Sequence, residues 1–104
     1  MMSVNLRHGL LLAMAFAQPA LASEELMDRS GCSSCHRIDQ QLIGPAFREV
    51  AARYRADTSV AQRLVLKVRE GGEGVWGDIP MQPNGVEKIS DADLRTLVDW
   101  ILSL

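Results

Sequence analysis

The chain has 104 residues, 47% of them hydrophobic, a formal net charge of −2 and a mean hydropathy of zero. That length accommodates one hydrophobic core and not two. The balanced charge supplies no basic patch for nucleic acid, and the hydropathy is neither that of a membrane protein nor that of a disordered chain.

Residues 1–22 read as an export signal. Arg7 and His8 precede an apolar run from Leu10 to Ala17, Gln18-Pro19 breaks the run, and Ala20-Leu21-Ala22 offers small residues at −3 and −1 of a cleavage site before Ser23. Eight apolar residues fall well short of the ~20 needed to cross a bilayer, which weighs against an uncleaved anchor. Cleavage removes Arg7 and no acid, leaving residues 23–104 with 10 basic against 13 acidic side chains, a net charge of −3.

The remaining domain is expected to open with a short helix. Ser23 suits its N-cap, Glu24 and Glu25 suit the positive end of its dipole, and Leu26 and Met27 form an apolar side. Gly31 ends it and would also permit close approach of a second helix, with Met27 and Gly31 facing Leu97 and Trp100.

Cys32-Ser33-Ser34-Cys35-His36 follows at once, and it is the most informative stretch of the chain. Two thiols three residues apart, followed directly by an imidazole, form the spacing at which haem is attached covalently. Each thiol adds across one vinyl group to give a thioether, and the adjacent imidazole then stands where it can ligate iron. The chain has only two cysteines and two histidines, the other histidine being His8 of the leader. Three other readings compete. A dithiol redox pair wants a βαβ setting and leaves the histidine unexplained, a structural zinc wants a fourth ligand, and a disulfide closing so small a loop constrains little.

Beyond the motif, residues 38–43 read as a loop closed by Gly44-Pro45. A helix from Pro45 to about Arg55 carries Phe47, Val50, Ala51 and Tyr54 at helical spacing. Ser59 and Gln62 suit a capping box for a third helix, whose inner side is Val60, Leu64 and Val68 and which stops at Gly71-Gly72. Residues 71–89 then hold seven of the ten glycines and prolines left after cleavage, framing Trp76. A loop this long in a small domain is usually functional. Within it Met81 stands between Pro80 and Gln82-Pro83, where restricted backbone freedom would present a soft thioether to a metal. Met27, by contrast, reads as core. Ser90 and Asp93 cap a last helix with Leu94, Leu97, Val98 and Ile101 on one face. No run alternates like a strand, so the class is all-α.

Taken together, Gly31-Cys32-Ser33-Ser34-Cys35-His36, Gly44-Pro45-Ala46-Phe47, Gly74-Val75-Trp76-Gly77, Ile79-Pro80-Met81-Gln82-Pro83-Asn84 and Trp100-Ile101-Leu102-Ser103 resemble those of small bacterial monohaem class I c-type cytochromes, over essentially the whole exported chain. The resemblance implies about four helices around one haem c held by Cys32 and Cys35, with His36 and Met81 as axial ligands of the iron. It implies that the Pro45 carbonyl accepts a hydrogen bond from the ligand imidazole, that Trp76 donates to a haem propionate and that Lys67 is a basic partner for one. Gln82 stands where a proline is common, from which a looser ligand loop is expected, and Ser33 where a more apolar residue is common. The implied function is that of a soluble, monomeric, periplasmic one-electron carrier rather than an enzyme, docking transiently at the haem edge on a donor and an acceptor protein. A ligand-binding haem enzyme and a haem subunit of a larger complex are the rival readings.

Overall fold

Apolar residues three and four apart, bounded by capping and turn residues, generate the helices seen in the computed structural model, which describes residues 19–104. They are α1 (Pro19–Arg29), α2 (Phe47–Tyr54), α3 (Val60–Glu70) and α4 (Asp91–Leu102), with a 3-10 turn at Cys32–Ser34. Among the described residues there is no strand, only an isolated antiparallel bridge between Gly72 and Met81. The all-α expectation therefore holds.

The pattern of α4 makes it the centre. Leu94, Leu97, Val98, Trp100 and Ile101 are buried, and α1, α2 and α3 all pack against it. Leu26 and Met27 of α1 and Phe47 and Val50 of α2 complete the core, joined by Ile89 from the loop before α4. Ser90 caps α4 as expected, its hydroxyl accepting from the Asp93 amide at 3.1 Å, and Asp91 and Asp93 lie at the positive end of the helix dipole.

Four details differ from the sequence reading. The first helix begins at Pro19, so Ser23 is inside it and buried rather than capping it, and Glu24 and Glu25 lie beyond its first turn. Ala20, Leu21 and Ala22 are strong helix formers and extend the helix upstream. The leader's Arg7, His8 and apolar run lie outside the described residues. Gly31 is exposed, and a Cβ built there would meet nothing within 4 Å. It is required by its φ of 84°, the left-handed turn that ends α1, and not by close helix crossing. Met27 does join Leu97 and Trp100 in the core. The second helix starts at Phe47 rather than Pro45, after an extended Ala46. Finally, the Ser59 capping box does not form. Asp57 instead accepts from both the amide (2.9 Å) and the hydroxyl (2.7 Å) of Ser59 and pairs with Arg63, organising the turn into α3.

Candidate haem site

The left-handed Gly31 turns the chain out of α1 directly into the 3-10 turn, so Cys32, Cys35 and His36 are presented by a single compact loop. The amides of Cys35 and His36 both donate to the Cys32 carbonyl, at 3.1 and 2.9 Å. Both sulfurs are half-buried. Burial pushes the Cys32 thiol up from its ordinary value, against smaller opposing effects of its own backbone and of Lys88. No group of three or more His, Cys, Asp or Glu residues is placed to hold a metal ion among the described residues.

His36 is positioned from three sides. Its Nδ1 lies 2.7 Å from the Pro45 carbonyl oxygen, its ring stacks on Phe47 at 4.9 Å between centroids and 25° between planes, and Gly44 leaves no room on the remaining side. A Cβ at Gly44 would come within 2.6 Å of the His36 Cε1. The Gly44 amide donates to Cys35 at 2.7 Å and the Phe47 amide to Arg37 at 2.9 Å, folding residues 37–46 back onto the motif. Burial holds the imidazole pKa below its ordinary value, outweighing the hydrogen bond to Pro45 that raises it. A neutral ring donating from Nδ1 keeps the Nε2 lone pair free, the form in which histidine binds a metal.

Met81 is held differently, by backbone. Its amide donates to the Gly72 carbonyl at 2.8 Å and its carbonyl accepts from the Gly72 amide at 3.0 Å. Gly71 has a φ of 71°, and a Cβ there would run into the Met81 carbonyl oxygen and approach the Pro83 nitrogen to 2.9 Å. Asn84 forms the second tie. Its amide and side-chain nitrogen both donate to the Val68 carbonyl, at 3.1 and 3.3 Å, and the same side chain donates to the Gln82 carbonyl at 2.9 Å. Arg69 extends the network, reaching the Asn84 carbonyl at 3.1 Å and the Asp91 carboxylate at 2.6 Å. Gln82 does not leave the loop untethered, because the ties go to its carbonyl and to its neighbours, which any side chain at 82 would permit.

Trp76 is 40% exposed and lines one cleft with Pro45, Ala46 and Glu49. The structure therefore brings the expected propionate donor and the imidazole's partner to the same side. Lys67 is not brought there; its ammonium packs against Gly72, 2.9 Å from where a Cβ would stand. Sequence reasoning missed Arg53 and Arg69, which carry no motif signal because their partners are 15 to 22 residues away.

These residues fit a haem. Two thiols and a neutral imidazole share one loop, glycines at 44 and 71 make room for the two ligand segments, and Leu42, Ile43, Val75 and Ile79 leave large apolar side chains 45–66% exposed beside those segments. Such a set of exposed apolar groups suits a large flat apolar ligand.

Fold and site together define a small monohaem c-type cytochrome. A family model described as cytochrome c matches residues 20–104, and the chain belongs to the cytochrome c family. It is similar to cytochrome c-551 of Allochromatium vinosum (47% identity over 88% of this chain and 96% of the relative) and to cytochrome c-551 of Azotobacter vinelandii (46%, 77% and 94%). The crystal structure of Nitrosomonas europaea cytochrome c552 superposes with a TM-score of 0.72 at 40% identity, covering 77% of this chain and 96% of that one. The cofactor of this chain is one haem c, bound covalently through Cys32 and Cys35, and its role lies in electron transport.

Proposed function

We propose that the chain is an exported, soluble one-electron carrier, with its haem iron held between His36 Nε2 and the Met81 thioether. The observation that carries this reading is the His36–Pro45 hydrogen bond of 2.7 Å, which orients a half-buried imidazole with one nitrogen free. The doubly bonded Gly72–Met81 bridge supports the second ligand, since it fixes the backbone that carries the thioether. Bound haem c supplies an iron that cycles between ferrous and ferric states. Held by both the His36 imidazole and the Met81 thioether, the iron would have no site left for substrate and would be confined to one-electron transfer. A methionine ligand paired with histidine would raise the reduction potential. Pro45 orients the imidazole and raises its basicity, while Trp76 donates to a haem propionate. Lys67 adds a positive charge near the Met81 bridge.

The leader, residues 1–22, directs the chain to the periplasm and is removed before Ser23. No helix among the described residues is long and apolar enough to cross a membrane, as a freely diffusing monomer requires. Donor and acceptor proteins dock transiently at the haem edge, and a net charge of −3 makes long-range steering modest. The test is a visible and near-infrared spectrum of the purified protein in both redox states. Low-spin ferric iron with a methionine-to-iron charge-transfer band is expected, with slow azide and cyanide binding. High-spin ferric iron that binds these anions quickly would instead favour a ligand-binding enzyme.

A further inference from the structure

Trp76 occupies the tip of a small turn closed by a 2.9 Å bond from the Gly74 amide to the Gly77 carbonyl, with φ of 106° and 118° at those two glycines. A turn with glycine at both ends leaves the orientation of its tip side chain open. That orientation comes from α2. The Arg53 guanidinium carbon lies 4.9 Å from the centre of the Trp76 ring and 5.6 Å from that of Tyr54, and Arg53 Nη1 donates to the Val75 carbonyl at 3.4 Å. Tyr54 meets the indole at 6.3 Å and 81°. Lys67, the expected basic residue of this region, sits instead against Gly72, so the fixed positive charge beside the indole belongs to Arg53.

We infer that Arg53 is a positioning residue for Trp76, clamping the indole against Tyr54 so that its N–H stays aimed at a haem carboxylate. The inference rests on the proposed role of Trp76 as a propionate donor. A guanidinium over the ring face is attracted by the π cloud and leaves the in-plane N–H free to donate elsewhere. The clamp also ties α2 to the loop that carries Met81, through the bond from Arg53 to the Val75 carbonyl. Arginine serves here where lysine would not, because its planar group stacks on the ring and keeps a donor for the Val75 carbonyl.

The test uses the haem-loaded protein in its ferrous state and follows the two indole N–H resonances. Arg53→Met is expected to speed hydrogen exchange at the Trp76 N–H severalfold and to lower the reduction potential, because a propionate that loses its donor carries more negative charge beside the iron. Arg53→Lys should fall between the two, and the buried Trp100 N–H should not change in either variant. In a Trp76→Phe protein, Arg53→Met should shift the potential by less, the remainder being loss of the guanidinium charge itself. An unchanged Trp76 resonance and exchange rate in Arg53→Met would overturn the inference, as would a shift in potential of the same size in the Trp76→Phe background. Absence of covalent haem from the unaltered protein, read by intact mass, would instead overturn the parent reading, and this inference with it.

Discussion

The two segments of this cytochrome that are proposed to ligate the iron are built on opposite plans. His36 belongs to a loop in which the two thiols flank a 3-10 turn, and its ring stacks on Phe47, itself part of the core. Met81 belongs to a loop with no helix of its own and reaches α3 through the Gly72 bridge, the Asn84 bonds to Val68 and the Arg69 bonds to Asn84. The histidine side is fixed by side-chain packing and covalent chemistry, whereas the methionine side is fixed by a handful of hydrogen bonds to backbone carbonyls. Such a strap yields before a packed core does, so the ligand most readily exchanged should be Met81.

The largest effect that breaks this comparison comes from the covalent anchors. A Cys32→Ala, Cys35→Ala protein should retain no haem through acidic organic extraction, whereas the unaltered protein should show the mass of the chain plus one haem. Met81→Ala should keep the haem attached but open the site. Anion binding measured by stopped flow should become fast, and the charge-transfer band should disappear with a fall in potential.

Next in size are two glycines that separate stability from ligation. Gly71→Ala places a side chain in a left-handed conformation against the Met81 carbonyl, with a strain of about 1–3 kcal/mol. It should lower the denaturation midpoint and weaken the charge-transfer band together. Gly31→Val has the same kind of backbone cost, of about 1–2 kcal/mol, but open space around it. It should lower the midpoint and leave the band intact, and a band lost in both variants would erase the distinction between the two sides.

The smallest effect tests a region that serves neither ligand. Hydrogen bonds from the side chain and amide of Ser59, helped by Arg63, hold the Asp57 carboxyl below its ordinary value of 3.8. A depressed folded-state pKa stabilises the protein above the unfolded value, and that contribution is lost as pH falls through the lower folded one. Asp57→Asn should therefore melt slightly lower than the unaltered protein at pH 7. The gap should close in acid below the ordinary value, and the charge-transfer band should be unaffected at neutral pH.

What the sequence made legible follows the same division. Regular spacing in α2, α3 and α4 showed the helices, and the Cys32–His36 spacing showed the haem, because both signals are local. The prolines around Met81 singled it out as a candidate, but the ties that hold its segment were not legible, since Asn84 and Arg69 act on carbonyls of residues whose identity carries no message. Ser59 illustrates the converse failure. Its capping-box pattern with Gln62 was present, yet Asp57, two residues earlier, captured both of its donors. Gly31 was noticed for the wrong reason, because a sequence shows that a side chain is missing without showing whether space or backbone angle requires it.

One consequence follows from the pairing of α1 with α4. Among the described residues, the α-helix on which α1 packs extensively is α4, far along the chain. Leu26 and Met27, each worth about 1.5–3 kcal/mol when buried, find their apolar surroundings only once residues 91–102 have arrived. In a chain exported from its N-terminus, as proposed above, the Cys32–His36 loop would emerge before α4. The attachment chemistry would then have a period in which both thiols are accessible, before the closing helix seals the core behind them.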